Sequence, residues 1–125
     1  MTKNIKNLKD EEKTIDATGK SFGRVATEAA NILRGKDSPD FERNKITGRK
    51  VNIINASAVN ISTRGKLTDK TYVRYSGFPG GQKKETLKKL LERRGYKEAF
   101  KRTVRGMIPG NKLRPELMKR LNVSE

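Results

Sequence analysis

Three observations predict an α/β fold with a basic helical C-terminal half. Short β-prone segments recur at 14–17, 51–55, 59–62 and 71–75. A run from Phe22 to Leu33 carries apolar residues at three- and four-residue spacing, the pattern of an amphipathic helix. From residue 82 to 120 there are 14 basic residues against 4 acidic ones, and the apolar residues there again fall at helical spacing.

Taken in order, residues 1–13 alternate Lys and Asn, hold an acidic Asp10-Glu11-Glu12 patch, and read as a flexible N-terminal arm before a single domain over 14–125. Thr14-Ile15-Asp16-Ala17 is a strand, and Thr18-Gly19-Lys20 turns into Ser21, an N-cap for the following helix. Phe22, Val25, Ala26, Ala29, Ile32 and Leu33 form its apolar face, and Gly35 stands where a C-terminal cap belongs. Lys36 to Lys45 is a charged connection. Val51 to Asn55 is short and apolar enough to lie inside a sheet, although Asn52 interrupts it. Ala56 to Ala58 is a brief helical link, Val59-Asn60-Ile61-Ser62 alternates like a half-buried strand, and Arg64-Gly65-Lys66 turns toward a strand at Thr71 to Tyr75.

That strand runs into Ser76-Gly77-Phe78-Pro79-Gly80-Gly81, where turn chemistry and positive φ are required, and the elbow feeds Lys83 and Lys84. Glycine there lets backbone approach an anion closely. Beyond the elbow, Thr86 caps a helix with Leu87, Leu90 and Leu91 inward, closed by Gly95. Tyr96, Ala99, Phe100, Thr103 and Val104 form a second, closed near Gly106, and a last helix carries Pro115 in its first turn and Leu117, Met118 and Leu121 on one side.

The formal charge is +16, from 30 Lys and Arg against 14 Asp and Glu in 125 residues. Compact charge of this size repels itself, and the common solution is a polyanion whose phosphates neutralise it. Nucleic acid is therefore the expected partner, and the basic helices, with only Glu92 and Glu98 among the charges from 88 to 105, are expected to meet it. The absence of Cys and His removes thiol nucleophiles, disulfides and most transition-metal sites, and no cofactor or metal is expected. No apolar run reaches the roughly 20 residues a membrane span needs, so no membrane partner and a cytoplasmic location are expected.

Catalysis finds little support. Gly19-Lys20-Ser21 imitates the end of a phosphate-binding loop, but the first glycine of that pattern would fall at Thr14, inside the strand. Asp16 is the one acid at a strand end. Asp there commonly caps the next turn, and the sequence places no second acid to work with it. Neither an enzyme nor a small-molecule substrate is expected.

Set together, the blocks Ile15-Asp16-Ala17, Gly23-Arg24-Val25-Ala26-Thr27, Ile32-Leu33-Arg34-Gly35-Lys36, Ile54-Asn55-Ala56, the run from Tyr72 to Gly81, Leu91-Glu92-Arg93-Arg94 and Gly106 to Asn111 resemble the L-thirteen family of large-subunit ribosomal proteins, in its bacterial form. The match covers nearly everything from Thr14 to Val123. The resemblance implies a three-layer α/β/α fold with a small, mainly parallel four-stranded sheet. It further implies a structural role against large-subunit ribosomal RNA beside other ribosomal proteins, support of early subunit assembly, and in some members messenger RNA binding and translational repression. This chain departs from the family in the elbow, where His-Ser/Thr-Gly-Tyr is usual and Tyr75-Ser76-Gly77-Phe78 stands, and after Thr47-Gly48, where Arg49 replaces the usual Asp. Members generally continue past the last strand with a tail containing Gly, Pro and His. Contacts made by that tail are not carried over to a sequence that stops at Glu125.

The expected RNA contacts are Arg74, Tyr75, Lys83, Lys84, Arg93, Arg94, Arg105, Lys112 and Arg114. Arginines would fork onto phosphates or stack on exposed bases, lysines would act as mobile charges, and the Tyr75 ring would stack on a base.

Overall fold

The computed structural model describes residues 11–61 and 66–125. Residues 1–10 of the expected arm, and Ser62 with most of the turn after it, lie outside the described residues. Glu12 and Lys13 already belong to the first strand, β1 (Glu12–Asp16).

β1 pairs in parallel with β2 (Lys50–Ile54), and β2 in parallel with a C-terminal strand, β5 (Leu121–Val123), so β2 is central. The register stacks Ile15, Ile53 and Val123 in one row and Val51 with Leu121 in the next, and all five are buried. Because side chains alternate along a strand, Thr14, Asn52 and Asn122 share the opposite face. That explains the polar residue in the middle of β2. Thr14 and Asn122 are exposed and Asn52 half-buried, with the Asn122 amide donating to Asn52 Oδ1 at 3.5 Å.

Helix α1 (Phe22–Arg34) buries the residues its spacing selects, Val25, Ala26, Ala29 and Leu33 among them, against the sheet. Ser21 stands at the N-cap position with extended backbone but makes no side-chain capping bond, and Gly35 is the C-cap, at φ 81° as a left-handed cap requires. Gly48 is also obligatory, since a Cβ there would strike the carbonyls of Ile32 and Leu33. The chain thus returns to β2 pressed against the end of α1.

After a 3-10 turn at Ala56–Ala58 and a short helix, α2 (Lys66–Asp69), come two antiparallel strands, β3 (Thr71–Tyr75) and β4 (Gln82–Thr86). Helix α3 (Leu87–Met107) starts at the predicted cap, Thr86, whose hydroxyl accepts from the Lys89 N–H at 3.4 Å. It is broken where a boundary was expected. Gly95 sits at φ 78°, ψ −179°, a combination essentially confined to glycine, so two helical segments meet there. Leu90, Ala99, Phe100 and Val104 are fully buried, and the rings of Phe100 and Phe22 lie 4.5 Å apart, tying α3 to α1. Helix α4 (Arg114–Lys119) opens with Pro115 in its first turn and leads into β5.

Three expectations change. Where four sheet strands are implied, the described residues form a three-stranded parallel sheet and a separate two-stranded ribbon, and 59–61 contribute a single parallel bridge, Asn60 to Ser21. Residues 82–86 are strand, not the approach to a helix. Gln-Lys-Lys-Glu has little β-propensity, and the pairing is imposed by a turn that aligns it with β3. Leu121 belongs to β5 rather than to the last helix, and three residues are too few to display a period.

Phe100→Ala should cost about 3–5 kcal/mol, the usual range for emptying a core aromatic site. Urea unfolding measures it; a loss below about 1 kcal/mol would show that Phe100 is not where the two helices are joined.

Candidate nucleic-acid interface

The ribbon β3–β4 is where the expected elbow becomes a hairpin loop. Gly77 (φ 88°) and Gly80 (φ 72°) take the positive φ their positions require, and the Gly81 N–H donates to the Phe78 carbonyl at 3.0 Å, closing a turn through Pro79 and Gly80. Gly81 is packed under Ser76, whose hydroxyl a Cβ would strike. The loop is therefore built, and the backbone is led straight back along β3.

Pairing sets what each face shows. Tyr72, Arg74, Lys83 and Glu85 share one face, with Tyr72 opposite Glu85 and Arg74 opposite Lys83. The other carries Val73 opposite Lys84 and Tyr75 opposite Gln82. Tyr72 and Glu85 root the first face on the body of the protein. Farther out, Val73, Tyr75 and the loop residue Phe78 are 58%, 64% and 72% exposed, an apolar stripe edged by lysine. Like charges placed directly across strands destabilise a pair, so Arg74 and Lys83 are held together against their repulsion. An anion shared between them reverses the sign of that contact.

Glu85 collects the nearby arginines. Arg93 donates Nε and Nη2 to its two carboxylate oxygens at 2.8 Å each, a bidentate fork joining the first segment of α3 to β4. This hydrogen bonding, followed by the charges of Arg93, Arg102 and Arg74, holds the Glu85 carboxyl below the ordinary carboxylate range, and the same bond, followed by the charges of Glu85 and Glu98, raises the Arg93 guanidinium above its own. Arg93 is therefore a structural clasp with part of its fork occupied, which sequence reasoning had missed by treating it like its neighbour. Arg94 is exposed, and no ion pair of it occurs among the described residues.

The structure thus gathers Arg74, Tyr75, Lys83 and Lys84 on the ribbon, with Arg93 bound to its root. Arg105 lies in the second segment of α3, beyond the break at Gly95, and Lys112 and Arg114 follow α3 in the turn and the start of α4. These three remaining candidates make a second group in the chain, and Lys112 and Arg114 adjoin Asn111 and Leu113, which line a hollow of about 220 Å³ where Arg34 lies over the Phe41 ring at 5.8 Å beside Glu42, Arg43 and Lys45. Sequence reasoning also left out Val73 and Phe78, for which strand alternation and the loop position were the available signals.

Asp16, the strand-end acid, is occupied as a turn cap. Its Oδ1 accepts from the Thr18 N–H at 3.0 Å, the Thr18 hydroxyl at 2.7 Å and the Asn55 amide at 3.2 Å, and these bonds lower its pKa. A carboxylate so engaged is a poor proton acceptor.

The chain is thus a strongly basic mixed α/β protein whose surplus cations lie on a hairpin and a broken helix and whose strand-end acid is committed to a turn. The family model for ribosomal protein L13 matches residues 10–125. Relatives named large ribosomal subunit protein uL13 include that of Citrifermentans bemidjiense, 44% identical over 109 residues, covering 87% of this chain and 75% of the relative. That of Geobacter sulfurreducens is 42% identical over 126 residues, covering 97% and 87%. The Desulfitobacterium hafniense protein is 47% identical, covering 87% and 75%. The chain belongs to the ribosomal protein L13 family.

Arg93→Glu places a carboxylate against Glu85 and should lower the thermal midpoint, whereas Arg94→Glu should change stability by less than about 0.5 kcal/mol. Equal midpoints for the two variants would dismiss the clasp. Since the Glu85 pKa is lower in the folded chain, its contribution is present above the ordinary value near 4.5 and is lost as pH falls through the folded value. Glu85→Gln should therefore be less stable than the parent at neutral pH and approach it below about pH 4.5, as followed by denaturation at a series of pH values. A pH-independent gap would contradict this.

Proposed function

We propose that this protein is a structural constituent of the large ribosomal subunit, in the cytoplasm, where it holds ribosomal RNA beside neighbouring ribosomal proteins and supports early assembly of the subunit. The observation that carries the reading at residue level is the ribbon. It presents an opposed Arg74–Lys83 pair and three exposed apolar side chains, an arrangement unfavourable in water and favourable against RNA, where phosphates separate the cations and unpaired bases cover the rings.

In this reading Arg74, Lys83 and Lys84 take phosphates, and Tyr75 and Phe78 stack on bases. The second group, Arg105, Lys112 and Arg114 with the exposed Arg94, neutralises further backbone. Arg93 reaches RNA only with the donors that Glu85 leaves open. Phosphate contacts position without reading sequence, so the protein acts through charge and shape. Messenger RNA is a secondary partner on the same ground.

The Tyr75→Ala/Phe78→Ala double variant tests the reading. Both side chains are exposed, so stability should hold within about 0.5 kcal/mol per site. Each lost stack is worth about 1–3 kcal/mol, and occupancy in purified large subunits, in competition with the parent protein, should fall roughly tenfold or more. Undiminished occupancy would remove the ribbon from the RNA surface.

A further inference from the structure

At the root of the ribbon, between β3 and the second segment of α3, lies a hollow of about 380 Å³ that none of the expected contact residues lines. Its floor is apolar, formed by Phe22, Ile61 and Leu87, and one wall is the half-buried ring of Tyr72. Two cations stand over that ring, the Lys70 ammonium 5.6 Å and the Arg102 guanidinium 5.2 Å from its centroid. Arg102 is steadied by Glu98, to which its Nε donates at 3.2 Å, and Lys70 by its carbonyl, which accepts from the Leu87 N–H at 2.9 Å. The other acid nearby, Glu85, is already forked by Arg93.

We propose that this hollow receives one unpaired nucleobase, with an adjoining backbone phosphate on Lys70 and Arg102. The inference rests on the RNA reading above and adds a site to it. A base is a flat apolar body with an anionic phosphodiester a short distance away. The hollow offers the complement, an apolar floor under a cationic mouth whose carboxylates are both committed. Arg102, half-buried and held both by Glu98 and against the aromatic face, is already positioned when a phosphate arrives, and the exposed Lys70 adds a second charge beside it.

Gly106 offers a position from which the hollow can be filled. It lies in the last turn of α3 at the edge of the hollow, and a Cβ there would meet no atom within 4 Å. Glycine in a helix is about 1 kcal/mol less favourable than alanine, and no close contact in the fold calls for it. A side chain longer than alanine's has room there to reach into the hollow.

The test uses large subunits purified from cells producing the full-length protein as parent, Gly106→Ala or Gly106→Phe. Ultraviolet irradiation makes zero-length adducts between protein and the RNA present, and mass spectrometry locates them. A nucleotide adduct is expected on the segment 71–74 or 103–106, separate from any on 75–82. Gly106→Ala should keep it. Gly106→Phe fills the hollow and should reduce it by the roughly 5- to 150-fold that the loss of one stacked base implies, with the fold intact by thermal denaturation. Adducts confined to the ribbon tip, or a protein side chain cross-linked into the hollow, would overturn the base site while leaving the RNA reading in place. An adduct undiminished in folded Gly106→Phe would overturn it too. Absence of the protein from large subunits altogether would overturn both.

Discussion

The contact between Phe22 and Phe100 joins the two halves of the molecule. Phe22 opens α1, which covers the parallel sheet, and Phe100 lies in the second segment of α3, which carries the basic surface. Around them Leu33, Val25, Leu90 and Val104 complete a core that a chain of 32% hydrophobic residues can only just fill. With so little apolar material, everything outside that core is held by local devices. The Glu85–Arg93 fork fixes the ribbon to α3, the Asp16 cap closes the end of β1, and Gly48 lets the chain press against the end of α1.

Charge is the complementary constraint. Thirty basic side chains against 14 acidic ones cannot be paired internally, and the few ion pairs described mostly serve structure. The surplus is left where elements are exposed, on the ribbon, along α3 and in the turn into α4. On the ribbon it stands beside the exposed rings of Tyr75 and Phe78, the combination that suits an RNA surface of phosphates and unpaired bases. The one strand-end acid, Asp16, is committed to the turn that follows β1.

Local signals were legible in the sequence, and long-range ones were not. α1 could be bounded from Ser21 and Gly35, and the break in α3 from Gly95, because caps and apolar spacing act within a few residues. β3 was visible in its Tyr and Val, and the glycines of its loop in their need for positive φ. β4 was not, since its lysines acquire strand geometry only from a partner. β5 has three residues and takes its identity from β2. The candidate interface divided in the same way. Lysines and arginines were easy to nominate, but Arg93 and Arg94, adjacent in the chain, proved to have different employment because only one faces Glu85. The Tyr72 hollow draws on residues from Phe22 to Gly106, and no local pattern connects them.

The measurement that bears most directly on the account is sedimentation of gently lysed native cells, with the subunits separated at low magnesium and the large one rewashed at rising salt. Charge contacts alone weaken steeply with salt, whereas a component built into the subunit is retained by the structure around it. The protein is expected to stay near stoichiometric with the large subunit through the wash. Release at modest salt, or failure to sediment with the subunit at all, would contradict this and leave a free RNA-binding protein that shares the family fold.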